Sequence, residues 1–224
     1  MAQRIHGVSL LKTILMILSR ARLLKRGLAL AWHALDHFFL PQFETLCLPR
    51  RRPVAVLSHP LDALIPFRRR EVKRYLGYMS FWLKTQRFLY ERFGAAALPD
   101  IRRAFEEVCF LYSEAGSIYR GCQSTTTTRR ALPRHPYFAL IYLLDPHLHC
   151  IPSLHILLIC HNCYRTAEVL RRHGAKLSEN ARLMAEVEAE AVRVTEAILL
   201  IKQHSLADIA PSLFLLSALF SGYG

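Results

Sequence analysis

The feature that most constrains the fold is a series of helix-length stretches, in which apolar residues recur with helical spacing, separated by loops that prolines mark. Few segments alternate strictly between apolar and polar residues, which is the pattern of a half-buried strand. One proline-rich connection runs from Leu48 to Phe67, and a second loop runs from Gly121 to Pro136. The pattern predicts an all-α protein with six main helical segments, at about residues 27–44, 72–93, 101–118, 151–166, 180–201 and 207–222.

Composition leaves open whether these helices cross a membrane. Apolar residues make up 52% of the chain and the mean hydropathy is +0.17, which is high for a water-soluble domain and low for a protein made mostly of lipid-facing helices. No segment is an uninterrupted run of about twenty apolar residues, the length that spans a bilayer. If the helices do span, their acidic residues must face a bundle interior or an aqueous cavity; these are Asp36, Glu106, Glu107, Glu186, Glu188 and Glu190.

The chain is strongly basic, with a formal net charge of +13 and an isoelectric point of about 9.9. Such a charge indicates an anionic partner, which could be a lipid surface, a nucleic acid or a phosphorylated substrate. The basic runs at residues 50–52 and 68–74 come without the motifs of a known nucleic-acid-binding module. We therefore expect them to face lipid headgroups or solvent, and we expect no nucleic-acid partner.

The N-terminal segment, residues 1–26, is first apolar and then basic. Its apolar stretch from Val8 to Leu18 is interrupted by Lys12, and basic residues follow where a signal peptide has a cleavage site of small residues; they are Arg20, Arg22, Lys25 and Arg26. We expect a retained amphipathic or anchoring helix with its basic cluster on the cytoplasmic side. Residues 27–224 are predicted to form a single helical domain.

The cysteines and several histidines predict packing and polar contacts rather than a metal site. The six cysteines are scattered in apolar context, so we expect free thiols. Cys160 and Cys163 have C-x-x-C spacing, but no second pair follows them. His147 and His149, together with His155, match no common zinc signature and are expected to make local polar contacts. No metal or other cofactor is predicted.

Two short histidine motifs carry the functional signal. Pro152-Ser153-Leu154-His155 lies where an apolar stretch begins, and Lys202-Gln203-His204-Ser205-Leu206-Ala207-Asp208 lies where another resumes. On a helix, His204 and Asp208 would share one face because they are four residues apart. The two motifs, in this order and spacing, resemble the second and third motifs of the type 2 phosphatidic acid phosphatase superfamily. The Lys202-Gln203-His204 version looks most like the branch related to inositol phosphorylceramide synthase.

Weaker matches and departures accompany this resemblance. Pro60-Leu61-Asp62, followed by Ile65-Pro66-Phe67, is similar to a loop near the start of many bacterial members. Tyr119 followed by Arg129 and Arg130 resembles the first motif, whose arginine holds the phosphate. The departures are the lack of a lysine between Lys84 and Lys176, Ala131 directly after Arg130, and Ile198 where the third motif usually has arginine.

The resemblance implies a six-helix membrane-embedded bundle of the phosphatidic acid phosphatase/haloperoxidase type, and it implies a role for each motif residue. His204 would attack phosphorus, because an imidazole can carry the phosphoryl group between two displacements. Asp208 would fix the tautomer of His204, and His155 would protonate the leaving alkoxide. A helix start and cationic side chains would hold the phosphate; the residues in question are Ser153, Arg129, Arg130 and Lys202.

The predicted protein is therefore a metal-independent lipid phosphatase with a phosphomonoester such as phosphatidic acid as substrate. Two alternatives stay open within the same resemblance: a transferase of phospho-headgroups between lipids, and a catalytically decayed membrane protein that binds lipid. A soluble basic helical protein that binds anionic surfaces peripherally is a third.

If the six segments each cross once, the motif-bearing loops emerge on one side. With the N-terminal basic cluster inside, the active site of this integral protein would face outward from the plasma (inner) membrane. The oligomeric state is not predicted.

Overall fold

The computed structural model describes residues 4–47, 53–127 and 135–220, and it is built almost entirely of helices. The helices are α1 Leu10–Leu18, α2 Ala21–Ala34, α3 Leu40–Cys47, α4 Val72–Phe93, α5 Leu98–Gly121, α6 Pro136–Leu144, α7 Leu154–Arg172, α8 Ala181–Leu200 and α9 Ile209–Phe220. A π-helical turn, Leu35–Phe39, joins α2 to α3. Two short strands, β1 Val54–Val56 and β2 Gln123–Thr125, pair in parallel with Ala55 opposite Ser124.

The all-α prediction is confirmed, and its helical segments correspond closely to the observed helices. The segment predicted at residues 72–93 has the bounds of α4, and the one at 101–118 lies within α5. Helix α1 corresponds to the helix expected in the N-terminal segment, and α6 adds to the six predicted segments. Among residues 4–47, 53–127 and 135–220, no helix combines the length and the apolar character needed to cross a membrane. The structure therefore gives no support to the prediction of six spanning helices.

The central element is α7, which packs against α4, α5, α8 and α9. Its apolar residues serve two cores, because Leu157 and Leu158 join the cluster around Trp82 and Phe105. On another face, Ile159 belongs to the cluster that contains buried residues of α8. A helix enclosed on several sides by apolar contacts holds its ends rigidly. The start of α7, which carries the Pro152–His155 motif, is thereby fixed relative to α8 and α9.

A charged cluster joins α5 to α7 inside the helical packing. Glu107 accepts a hydrogen bond from Arg103 at 2.9 Å, and one of its oxygens lies 2.9 Å from His161 Nε2 and 3.1 Å from Arg165 Nε. Burial alone would raise the pKa of Glu107, but the hydrogen bond with His161 and the charge of Arg165 lower it overall. Glu107, one of the acidic residues expected to face a bundle interior, is thus accommodated by basic partners.

The basic N-terminal segment packs into the same cores as the rest of the chain. Ile5 and Val8 are buried in the cluster shared with α8, and Met16 and Leu23 are buried in the cluster around Trp82. The backbone N–H of Ile5 also donates to a carboxylate oxygen of Glu186 at 3.2 Å. These contacts fix α1 and α2 against the helical body.

Helix α5 closely approaches the π-helical turn at Gly116. A Cβ placed on Gly116 would lie 2.6 Å from the Cβ of His37 and 3.0 Å from its backbone oxygen. Neither atom can rotate away as the tip of a flexible side chain can, so the contact requires glycine. Gly77, in the middle of α4, has open space at the corresponding position.

We expect Gly116→Ala to lower the free energy of unfolding by about 1–3 kcal/mol, because the added methyl group overpacks the contact with His37. Gly77→Ala is the matched control, and it should raise stability by up to about 1 kcal/mol through the higher helix propensity of alanine. Urea denaturation of both variants measures the difference. Equal stability changes in the two variants would contradict the close approach at Gly116.

Candidate functional site

The turn after α8 carries the second histidine motif. Helix α8 ends as Lys202 takes a left-handed conformation with φ of 60°, and the N–H groups of Gln203 and His204 donate back to the carbonyl of Ile198. A short 3-10 turn, Leu206–Asp208, follows. Ser205 caps it, because its hydroxyl accepts from the N–H of Ala207 at 3.1 Å while Asp208 accepts from the N–H of Ser205 at 3.0 Å. This capping box brings Asp208 back towards His204.

His204 and Asp208 form a buried pair. The Nδ1 atom of His204 lies 2.8 Å from a carboxylate oxygen of Asp208, and the exposed fractions of the two side chains are 7% and 0%. The contact predicted from four-residue spacing is present, but a capping box makes it rather than one continuous helix. A carboxylate can only accept, so Nδ1 carries the proton and Nε2 keeps its lone pair in the neutral ring. A nucleophile or metal ligand needs this tautomer.

The start of α7 lies directly opposite this pair. Ser153 is the N-cap of α7, and its hydroxyl oxygen is 3.3 Å from Nε2 of His204. The backbone N–H of Ser153 donates to the hydroxyl of Ser212 at 2.7 Å, which ties the motif to α9. The ring of His155 lies edge-on to that of His204, with centroids 5.8 Å apart. The two motifs, 49 residues apart in sequence, therefore meet at one point.

His155 is enclosed by aromatic rings. Tyr75 stacks on it with centroids 4.1 Å apart, and Tyr78 lies 4.3 Å away on a tilted plane. Burial of the imidazole, and next the repulsion from His204, hold the pKa of His155 well below its ordinary value of 6.5. At neutral pH the free protein therefore has an uncharged His155. The two tyrosines were not identified from sequence, because nothing in α4 marks them as neighbours of a residue in α7.

The loop that begins at Pro60 is joined to the His204 turn. The buried carboxylate of Asp62 accepts from the Ser205 hydroxyl at 2.5 Å and from the Leu206 N–H at 2.9 Å. The ammonium of Lys202 donates to the backbone carbonyl of Asp62 at 2.7 Å. Burial would raise the pKa of Asp62, but the hydrogen bonds from Leu206, Ser205 and His59 outweigh burial and lower it. The weak Pro60-Leu61-Asp62 match therefore marks a residue that supports the site.

An apolar cavity of about 130 Å³ opens beside His155. Its lining is mostly aromatic and aliphatic and comes from α4, α5, α6, α7 and the π-helical turn: Phe38, Phe39, Tyr75, Leu76, Tyr78, Tyr112, Leu140, Ile141, Leu144, Asp145, Leu154 and His155. Four of these residues, Phe38, Asp145, Leu154 and His155, also line a small polar chamber of about 10 Å³ that includes His204. The cavity and the histidine pair are thus adjoining parts of one site.

Two further histidines and one cysteine line the chamber. The Nε2 atom of His147 lies 2.6 Å from the carbonyl oxygen of Gln203, and Nδ1 lies 3.1 Å from the Thr125 hydroxyl, so His147 makes the local polar contacts expected of it. His149 stacks on Tyr119 with centroids 4.1 Å apart. Cys150, which the sequence did not single out, borders the chamber and its sulfur is 3.6 Å from Nε2 of His147.

One group of side chains at the site has a donor set that fits a metal ion. Ligand atoms of Cys150, His204 and Asp208 all lie within 4.8 Å of one another, and all three residues are buried. Zn²⁺ accepts thiolate, imidazole and carboxylate ligands of this kind. The same His204 and Asp208 form the pair described above, so a bound metal and a nucleophilic imidazole would exclude each other.

The C-x-x-C motif forms no part of this site. All six cysteines are free thiols, as predicted. Burial raises the pKa of Cys160 to about 11 and that of Cys163 to about 12, so both are protonated at neutral pH. Because the thiolate is the reactive species, the two residues act as packing groups.

The structure describes two of the four predicted phosphate-binding residues, Ser153 and Lys202. Arg129 and Arg130 lie outside the described residues. Lys202 is buried and directs its ammonium to the Asp62 carbonyl, whereas Ser153 points its hydroxyl at His204. Ile198 is fully buried in the cluster that contains Ile156 and Ile201, so the departure at this position is an apolar core contact.

Comparisons of the chain with models of known protein families, with curated proteins and with solved structures found no match.

We expect Asp62→Asn to lower the free energy of unfolding by about 1–3 kcal/mol at neutral pH, because it disrupts buried hydrogen bonds to a carboxylate. The pKa of Asp62 is lowered in the folded protein, so this stabilisation is full above the ordinary value of 3.8 and is lost as the pH falls through the folded pKa. The difference between the variant and the wild type should therefore shrink in acid. Chemical denaturation over a pH series measures it.

Asp36→Asn is the control, because Asp36 forms a half-exposed pair with Arg120 and such pairs contribute little. A stability loss in Asp62→Asn no larger than in Asp36→Asn would contradict the supporting role of Asp62.

Proposed function

We propose that the chain is a phosphatase that hydrolyses a lipid phosphomonoester such as phosphatidic acid through a phosphohistidine intermediate. One observation carries the proposal: the Nδ1 atom of His204 is hydrogen-bonded to buried Asp208, while His155 faces the same ring from the start of α7. An imidazole oriented by a carboxylate on one nitrogen presents a lone pair on the other. A second imidazole within reach can then serve as acid and base.

In the first step, Nε2 of His204 attacks phosphorus and the bond from phosphorus to the alcohol oxygen breaks. Asp208 stabilises the positive charge that develops on the ring of His204. The leaving alkoxide takes a proton from His155 and departs as the alcohol. His155 is neutral in the free protein, but a bound phosphate dianion raises its pKa by charge attraction. Substrate binding and protonation of His155 are therefore coupled.

In the second step, water attacks the phosphorus of phosphohistidine. His155, now neutral, takes a proton from this water, and the bond between phosphorus and Nε2 breaks to release inorganic phosphate. His204 is thereby restored with its Nδ1 proton still on the Asp208 side. Ser153, Lys202, Arg129 and Arg130 are proposed to bind the phosphate oxygens during both steps.

The apolar cavity supports a lipid alcohol as the leaving group. It adjoins His155, the residue proposed to protonate that alcohol, and its lining is dominated by aromatic and aliphatic side chains. Burial of a hydrocarbon chain contributes about 0.8 kcal/mol per methylene group. A soluble phosphate ester with a polar alcohol gains nothing from such a lining. The side of the membrane on which the enzyme acts stays a prediction.

The same cavity favours one second candidate, transfer of the phosphoryl or phospho-headgroup to another lipid. The acceptor of the second step has to approach phosphohistidine from the side that the leaving alcohol vacates. That side is bordered by the apolar cavity, which suits a lipid hydroxyl as well as the departing alcohol. The two candidates share the first step and differ only in the acceptor.

We expect His204→Ala to abolish phosphate release from phosphatidic acid and from p-nitrophenyl phosphate, because both need the nucleophile. Asp208→Asn should lower kcat roughly 100-fold or more, because the tautomer is no longer fixed. His155→Ala should lower kcat about 100-fold or more on phosphatidic acid. Its effect on p-nitrophenyl phosphate should be much smaller, because that leaving group departs without a proton. Phosphate release from purified protein measures all three.

His6→Ala is the control, because His6 lies at the surface beside Glu190 and away from the site. Background release in wild type and in all variants would reject the phosphatase. Movement of labelled headgroup between lipids without phosphate release would favour the transferase, and neither reaction would favour a protein that has lost catalysis.

Chelators should leave phosphate release unchanged, since the proposed steps use imidazoles and a carboxylate alone. Added Zn²⁺ should inhibit, because Cys150, His204 and Asp208 can bind it together and occupy the nucleophile. Cys150→Ser should weaken the inhibition about tenfold or more, since metal sites lose much of their affinity with one ligand. Cys160→Ser, outside the site, is the control. Loss of activity on chelation would contradict the metal-independent mechanism.

A further inference from the structure

Helix α1 turns its more apolar face outward. Its exposed large side chains, at spacings of three and four residues, form one stripe: Leu11, Ile14, Leu15 and Leu18, each 40% exposed or more. The residues on the inward face are Thr13, Met16 and Ile17. A surface helix of a soluble domain usually has the opposite arrangement. The exposed stripe of α1 is therefore apolar, and Lys12, which is also exposed, lies next to it on the helix surface.

Helix α2 continues the same arrangement. Leu28 and Trp32, with Leu35 at the start of the π-helical turn, are 63%, 61% and 41% exposed, and they follow one another at four and three residues. Lys25, exposed and one turn before Leu28, lies on the same face. The two helices are consecutive and pack against each other. We call the exposed apolar side chains of these two adjacent helices the N-terminal face.

A basic cavity adjoins the N-terminal face. It has a volume of about 450 Å³ and lies between the start of α2 and the start of α5. Three arginines are among its lining residues, Arg20, Arg22 and Arg102, with small or apolar residues making up the rest. Ala21 lines this cavity and lies one turn before Lys25 on the outer stripe of α2, so cavity and patch are continuous.

The charges of this region are suited to an anionic surface. The first 35 residues contain six lysines and arginines and no acidic residue. Arg26 is paired with Glu106 at 2.6 Å, and Arg20 donates to the Tyr90 hydroxyl. Neither Arg22 nor Arg102 forms an ion pair with a residue in the described part of the chain. The nearby carboxylate of Asp100 contacts Arg172 and His173 instead.

We propose that the N-terminal face binds an anionic phospholipid bilayer, with the leucines and Trp32 in the interfacial layer and a lipid phosphate in the basic cavity. Exposed apolar stripes flanked by lysine and arginine are the features by which helices lie in a bilayer interface. Buried apolar area and attraction to anionic headgroups both contribute. A protein partner would suit the apolar stripe, but the three arginines at the cavity favour phosphate. This surface is independent of the chemistry proposed for His204.

The two tryptophans of the chain allow a direct test. Trp82 is 1% exposed and Trp32 is 61% exposed, so a shift of fluorescence on binding reports Trp32. We expect the full-length protein to float with vesicles of phosphatidylcholine and phosphatidylserine, and its emission to shift to shorter wavelength. Vesicles of phosphatidylcholine alone should bind it at least tenfold more weakly, because about 1 kcal/mol per basic residue is lost.

Two pairs of variants separate the parts of the surface. Arg22→Gln/Arg102→Gln should weaken binding to anionic vesicles about tenfold, whereas Arg171→Gln/Arg182→Gln, which removes the same charge from exposed parts of α7 and α8, should change it less than about twofold. Leu15→Gln/Leu28→Gln should abolish the Trp32 shift. Val192→Gln, at a site 58% exposed on α8, should leave the shift intact.

Several results would overturn the proposal. Among them are equal binding to neutral and anionic vesicles, equal weakening by the two arginine pairs, and a Trp32 emission that vesicles do not change. Binding of dissolved inorganic phosphate without binding of vesicles would also overturn it. So would light scattering that finds a stable dimer in which Trp32 is shielded, since a second copy would then cover the patch.

Discussion

The arrangement of the site depends on the hydrogen bonds that the carboxylate of Asp62 accepts. It lies 143 residues from Ser205 in sequence, yet it accepts from Ser205, Leu206 and His59 together. These hydrogen bonds join the loop after β1 to the turn after α8. This turn also contains the capping box that brings Asp208 to His204. Removing this one carboxylate would therefore loosen the turn without changing any residue of it. The Ser205 hydroxyl and the Leu206 N–H would lose their hydrogen-bond acceptor.

Periodicity alone predicted the helices well, and the reason is physical. Segments such as residues 72–93 bury one face along their whole length, so the spacing of apolar residues and the helix have the same bounds. The prediction that these segments span a bilayer came from the motif resemblance, because no segment is an uninterrupted apolar run of spanning length. It placed acidic residues such as Glu107 in a bundle interior, and Glu107 does pair with Arg103 and Arg165 between α5 and α7.

The candidate site was only partly predictable from sequence. His204, Asp208, Ser153 and His155 come from two local motifs, and the structure brings all four together. The residues that surround them come from helices distant in sequence. Tyr75 and Tyr78 approach His155 only because α4 packs on α7, and Cys150 reaches the chamber only through the connection between β2 and α7. No short motif encodes such neighbours, since they depend on the packing of the whole chain.

The aromatic enclosure of His155 links its acidity to the proposed substrate. The same tyrosines that remove the imidazole from water also line the apolar cavity. Burial lowers the pKa of His155 and keeps it uncharged in the free protein, and the adjoining cavity has the apolar lining that the proposed alcohol would need. A phosphate group supplies the negative charge that favours the imidazolium form, and a hydrocarbon chain supplies the apolar contact. Inorganic phosphate has only the first property and a free alcohol has only the second. A lipid phosphomonoester has both, so its binding would favour the protonated form of His155 and fill the cavity in one event.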